Sequence, residues 1–167
     1  MSHRNHSGGN LAPAPAGSSG DPTRRPAIPW AELERQALAA RDRAYCPYSD
    51  FAVGAALLCE DGTVVTGANV ENRSYPVTVC AERSAVVAAN AAGQRSFRAL
   101  AIAADNRPPA RPCGLCLETL AEFSTGLPIV LINLDGERVE TDLAELLPQP
   151  FRFTEADGSS EEGGGPD

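Results

Sequence analysis

Cys80-Ala81-Glu82-Arg83 and, one strand later, Pro112-Cys113-Gly114-Leu115-Cys116 are the two stretches on which the reading of this chain turns. A catalytic zinc ion takes three protein ligands and keeps its fourth position for water, whereas a structural site fills all four. Both sulfurs of Cys113 and Cys116 reach one metal when the turn between them opens a helix. The third ligand must come from elsewhere. The two histidines, His3 and His6, stand in a Gly/Ser/Asn-rich N-terminal stretch, so Cys80 is the remaining candidate. Cys46 sits beside Pro47 in a turn, and Cys59 ends a strand before Glu60-Asp61-Gly62. Neither has ligand spacing, and both read as packing residues. A structural zinc knuckle would need a fourth ligand that the folded region does not supply, so the set points to catalysis.

Charge explains the neighbours of those ligands. Three thiolates leave the site at a net charge of about −1, which lowers the Lewis acidity that makes a metal's water acidic near neutral pH. Cys80 and Cys113 each fall at the start of a predicted helix, where unpaired N–H groups and the positive dipole end favour thiolate. Arg83, one helical turn from Cys80, is within reach of that sulfur; its alternative is an ordinary surface ion pair. Glu82, two residues from a ligand, is placed over the metal without binding it and suits proton transfer. Alone, an acid in a first helical turn needs no further explanation; beside Cys80 it does.

The pattern Cys80-x-Glu82…Pro112-Cys113-x-x-Cys116 resembles the signature of zinc deaminases whose metal is held by three cysteines. The chain is similar over about 30–153 to the small homotetrameric cytidine deaminases of pyrimidine salvage. The likeness also takes in Tyr48-Ser49-x-Phe51-x-Val53-Gly54-Ala55-Ala56-Leu57, Asn69-Val70-Glu71-Asn72, Tyr75, and Glu145-Leu146-Leu147-Pro148 followed by Phe151. The resemblance implies a three-layer α-β-α sandwich and zinc-dependent hydrolysis of cytidine and deoxycytidine to uridine and deoxyuridine with release of ammonia. It implies that Glu82 moves protons to ring N3 and to the departing amine. Asn69 and Glu71 would hold the ribose hydroxyls, Phe51 would pack on the nucleoside, and the backbone at Ala81 would contact the base. Tyr75 and Phe151 would reach into a neighbouring subunit's pocket, making the tetramer obligatory for activity. Read locally, Phe51 is equally a core residue at the start of a strand, Asn69 a backbone cap before a turn, and the two exposed aromatics plain subunit contacts.

Two departures stand out. Such enzymes usually continue Arg-Gln after the last cysteine, and here the chain reads Leu117-Glu118. Arg73 stands where a small residue is common, in a loop the family places near the nucleoside 5′-hydroxyl of an adjacent subunit. Both bear on substrate range more than on reaction type. A deaminase of a related aminopyrimidine (a nucleotide, a modified cytidine or a nucleoside antibiotic) is therefore the nearest rival. A polynucleotide editor and a non-catalytic binding module of the same fold are the others.

Composition fits one small enzyme. With 167 residues and 43% hydrophobic content, the chain suffices for one domain with a core but not two. A net charge of −8 argues against a polynucleotide partner, which needs clustered cations to neutralise phosphates. Every basic side chain is Arg and none is Lys, a bias that reads as base composition. There is no apolar run long enough to span a membrane and no apolar signal-peptide core at the N-terminus. Five cysteines, three of them claimed by metal, fit a reducing cytoplasm.

Residues 1–29, rich in Gly, Ser, Pro, Ala and Asn, read as a disordered leader, and 154–167, acidic residues among glycines, as a solvated acidic tail. Between them lies the expected catalytic domain, 30–153. Apolar spacing predicts a helix over 30–44 that stops before Pro47. Strands at 51–58 and 63–68 flank a Glu60-Asp61-Gly62 turn as a hairpin. A helix over 80–92 ends at Gly93, and a strand at 99–104 and a helix at 113–123 follow. The last elements are strands at 129–133 and 138–141 and a short helix to 147 capped by Asp142. Alternation of strands with crossover helices after a hairpin gives an α/β fold, a mixed five-stranded sheet covered on both faces.

Overall fold

The computed structural model describes residues 26–152. The expectations for the leader and the acidic tail fall outside it, except at residues 26–29. There Ile28 packs partly buried against the core.

The sheet is the expected one, with strand order β2-β1-β3-β4-β5. Its strands are β1 (Val53–Cys59), β2 (Val64–Ala68), β3 (Phe97–Ala104), β4 (Pro128–Ile132) and β5 (Arg138–Asp142). β1 pairs antiparallel with both β2 and β3, β3 with β4 parallel, and β4 with β5 antiparallel. A parallel pair needs a crossover, and α3 (Gly114–Ala121) supplies it between β3 and β4.

Strand residues alternate between two apolar layers, as a pleated sheet requires. Leu57, Leu100, Ile102, Ile129 and Leu131 bury one face under α2 (Ala81–Ala91) and α3. Ala56, Leu58, Ala99, Ala101, Val130 and Ile132 face the other way, under α1 (Trp30–Arg41). α1 meets them with Leu33, Ala37 and Ala40, all fully buried at helical spacing. Gly62, at φ +89, turns the β1–β2 hairpin, and Gly93, at φ +85, follows the end of α2. Asp142 accepts the Glu145 N–H at 2.8 Å and caps α4 (Leu143–Leu146).

α2 lies unusually close to the sheet. Its inner stripe is Ala81, Ala85 and Ala89, all fully buried, and the strand residue beneath it is Gly67. A Cβ on Gly67 would stand under 3.0 Å from the Ala81 carbonyl oxygen and the Ala85 nitrogen. Backbone therefore rests on backbone, and the start of α2 is pinned to β2.

Boundaries differ from the sequence reading where tertiary pairing intervenes. The first helix stops at Arg41 and not at 44, because the Tyr45 N–H donates to the Asn69 carbonyl at 2.9 Å and the Glu71 N–H to the Tyr45 carbonyl at 2.8 Å. That isolated bridge pulls the chain off the helical path. A 3-10 turn at Tyr75–Val77 was not expected. α2 and α3 begin one residue later than read, so that Cys80 and Cys113 are N-cap residues.

Gly67→Ala is expected to destabilise by about 3 kcal/mol or more, the upper end for overpacking, because backbone cannot yield as a side chain can. Gly126→Ala, whose added Cβ meets nothing within 4 Å, should stay within about 0.5 kcal/mol. Urea denaturation of the two variants measures the contrast.

Candidate active site

Two helix N-termini on one face of the sheet build the centre. Cys80 (φ −72°, ψ 158°) and Cys113 (φ −74°, ψ 166°) are extended caps whose side chains make no capping hydrogen bond to the helix backbone. Cys116 lies in the first turn of α3, fully buried. The sulfurs of Cys80 and Cys113 are 3.8 Å apart, those of Cys113 and Cys116 3.5 Å, and all three lie within 4.8 Å of one another. Zinc–sulfur bonds of about 2.3 Å at tetrahedral angles put sulfurs about 3.8 Å apart. The spacing thus fits three ligands of one tetrahedral ion. Cys46 and Cys59 do not join the group, and Cys59 is buried in the core.

Electrostatics support thiolate here. The Cys80 thiol is pulled down to about 5 by hydrogen bonding with Cys116, opposed by its burial and assisted by Arg83 and Cys113. The same pairing, with burial, pushes the Cys116 thiol up. A cation held by Cys80, Cys113 and Cys116 would resolve that competition, because metal binding releases thiol protons. Arg83 Nη2 stands 3.8 Å from the Cys80 sulfur and donates to the Thr78 carbonyl at 2.9 Å. The guanidinium thus faces the thiolates from a backbone anchor and forms no surface ion pair among the described residues.

Glu82 is 5% exposed although it is only the second residue of α2. Burial raises its carboxyl above the ordinary range, and the nearby Cys80 thiolate adds to the rise. A buried acid with no ion pair among the described residues is costly to fold around, and a raised acid next to a metal site is suited to passing protons. Ala81, fully buried, opens α2, where N–H groups have no partner within the helix.

The sequence-selected residues Phe51, Asn69 and Glu71 form a second cluster. Asn69 is 7% exposed; its Oδ1 accepts the Val53 N–H and its Nδ2 donates to the Phe51 carbonyl, both at 2.8 Å. The backbone-capping role is therefore real, and one lone pair and one N–H remain on the amide. Glu71 Oε2 accepts the N–H groups of Tyr48 at 2.9 Å and Ser49 at 3.2 Å, and Oε1 accepts the Ser49 hydroxyl. These bonds, the Ser49 hydroxyl foremost, hold the Glu71 carboxyl below its usual range. Ser49 Oγ also accepts the Phe51 N–H at 3.0 Å. The sequence reading gave Ser49 no role, yet it joins the two; a serine two residues before Phe51 is a local turn signal that would have found it. An antiparallel bridge between Val70 and Val79, with N···O distances of 2.9 and 3.0 Å, ties this cluster to the segment that enters Cys80.

Tyr75 and Phe151 point outward, 72% and 75% exposed. The Tyr75 ring meets Tyr48 edge-on at 6.3 Å. Phe51 is exposed rather than core, and its strand starts two residues later at Val53. Arg73 is exposed on the loop before Tyr75. A groove of about 690 Å3 runs between α3 and residues 150–152. It includes none of the three thiols, and Cys113 is exposed in the single chain.

Cys113→Ala is expected to lose bound zinc and activity together, since two thiolates cannot hold the ion at comparable affinity. Elemental analysis beside an ammonia-release assay checks this, and full activity with stoichiometric metal would refute the ligand assignment.

Comparison with known proteins agrees with this geometry. The chain is 53% identical over 113 residues to a cytidine deaminase of Sporosarcina psychrophila, covering 67% of this chain and 83% of that protein. It is 46% identical over 126 residues to one of Mycobacterium tuberculosis, covering 75% and 92%. The crystal structure of cytidine deaminase from Burkholderia pseudomallei superposes with a TM-score of 0.72 at 43% identity, over 74% of this chain and all of that one. The model of the cytidine and deoxycytidylate deaminase zinc-binding region matches residues 30–131, a span containing both cysteine segments and the helices they cap, and this chain belongs to that family.

Proposed function

We propose that the protein hydrolyses cytidine and deoxycytidine to uridine and deoxyuridine, releasing ammonia, as a zinc enzyme of pyrimidine salvage in the cytoplasm. The observation that carries this reading is the buried Glu82 carboxyl beside three convergent thiols. The likeness to the relatives named above supports it. Residues 30–153 make up the catalytic domain, between a leader and an acidic tail.

Cys80, Cys113 and Cys116 would hold the ion, which when bound lowers the pKa of a coordinated water and so supplies a nucleophile near neutral pH. The protein's own groups do the rest. Glu82 takes a proton from the water that attacks C4 and delivers it to ring N3. It takes the second proton and passes it to the exocyclic amine as the C4–N bond breaks, so that water and nucleoside become ammonia and a 4-oxo pyrimidine. Burial suits the carboxyl to both directions, because its raised pKa brings acid and base forms closer in energy. Arg83 and the two helix N-termini draw charge from the sulfurs. Asn69 and Glu71 hold the ribose hydroxyls, Phe51 packs on the nucleoside, and the Ala81 backbone contacts the base.

A nucleoside needs a concave site that buries most of its surface, and the single chain leaves Cys113 exposed. We therefore assign Tyr75 and Phe151 to a neighbouring copy's pocket and the working form to a homotetramer. The acidic net charge of −8 favours a free nucleoside over a polynucleotide, and no helix among the described residues is long and apolar enough to cross a membrane.

Glu82→Gln tests the proposal. It keeps side-chain size but removes the group that cycles between acid and base, so kcat should fall by about 10^3 to 10^4 or more. Zinc content and tetramer should stay at wild-type level. Loss of zinc with normal turnover by the metal-loaded fraction would make Glu82 a structural residue and overturn the mechanism.

A further inference from the structure

The departure at Leu117-Glu118 has a use in the fold. Leu117 is buried against the core under α3. Glu118, two residues past Cys116 on the same helix, turns its carboxylate to the C-terminal segment, where both oxygens lie 3.2 Å from the Phe151 nitrogen. The Phe151 N–H is thus shared between the two oxygens of one carboxylate, while Phe151 as a whole stays 75% exposed. Upstream, Leu146 and Leu147 pack on the core, and the Leu147 N–H donates to the Leu143 carbonyl at 2.8 Å. Pro148 and Pro150 are unable to donate backbone hydrogen bonds. Residues 148–152 thus form a strap tied at Leu147 and again at Glu118, with Phe151 exposed near its end.

We propose that Glu118 is a positioning residue that latches this strap to the metal-bearing helix and fixes the direction in which the Phe151 ring leaves the chain. The occupant it presents the ring to is a second copy of this chain, which rests on the reading that Phe151 completes a neighbour's pocket. A carboxylate suits the task because a hydrogen bond to a charged acceptor is roughly twice as strong as one to a neutral amide oxygen. α3 is capped by Cys113 and carries Cys116, so the latch ties the arm that one copy extends to the helix that would hold the metal.

Amide hydrogen exchange and steady-state kinetics on the zinc-loaded protein test the latch. In Glu118→Ala, exchange at the Phe151 amide should quicken by about 10-fold or more, as expected for loss of a charge-assisted bond. Glu118→Gln, which still offers one acceptor oxygen, should fall between the two. KM for cytidine should rise in Glu118→Ala with kcat per bound zinc steady, and Glu118→Ala combined with Phe151→Ala should raise KM no further than Phe151→Ala alone. Unchanged exchange in Glu118→Ala, or fully additive effects on KM, overturns the latch. A Phe151→Ala variant with wild-type KM overturns the neighbour-pocket reading instead, and the exchange data still decide the latch by themselves.

Discussion

Everything at this site depends on two helices that start at the same place on one face of a sheet. A three-thiol centre needs sulfurs about 3.8 Å apart, a tolerance finer than most side-chain freedom. The chain meets it with N-cap positions, where φ and ψ are set by the helix that follows. Cys80 and Cys113 therefore inherit their placement from α2 and α3. α2 in turn is placed by Gly67, above which no side chain fits between strand and helix, and α3 by the parallel crossover from β3 to β4. Precision at the sulfurs is thus the sum of backbone contacts that have little room to slide.

Placing cysteines there also serves the electrostatics. Thiolates beside one another repel, and three of them weaken a metal's acidity. Each helix N-terminus brings partial positive charge to a sulfur, and Arg83 adds a full one, anchored on the Thr78 carbonyl. The same thiolate charge, with burial, keeps Glu82 protonated more readily than a surface acid. Under the proposed mechanism, ligand stabilisation and proton transfer would be coupled through Cys80, whose charge raises the Glu82 carboxyl. A change that strips charge from the Cys80 sulfur would also relieve the rise at Glu82.

The cluster of Asn69, Glu71, Ser49 and Phe51 shows how candidate substrate residues can also be structural. Asn69 and Glu71 stand two apart in extended chain, so both face the 48–53 loop, and each spends part of its hydrogen-bonding capacity holding that loop. Burial of Asn69 at 7% exposure makes sense only because both ends of its amide are satisfied. The loop is thus fixed at the Phe51 backbone, through its N–H on Ser49 and its carbonyl on Asn69, and under the proposed function that fixed backbone would lower the ordering cost of seating a nucleoside.

Much of this was legible in residue order alone. Ligand number, the lack of a histidine among the patterned segments, and an acid two residues from a cysteine are chemical facts that no packing alters, and they pointed to three thiols and Glu82. Apolar runs bounded by turn residues located the five strands, the central ones buried on both faces, and apolar spacing located the first helix. The Gly93 and Asp142 caps followed from local backbone demands. Element ends were less legible: the first helix stops at Arg41 because Tyr45 bridges to Val70, in a segment beyond β2, and no local propensity encodes that. Ser49 as a link, Gly67 as the seat of α2 and Glu118 as the partner of the Phe151 backbone are long-range or geometric roles, visible only when distant segments meet. The residues themselves determined which atoms are available for chemistry. Tertiary structure alone decided which of them touch, because convergence is set by how helices and strands pack, and that depends on contacts between segments tens of residues apart.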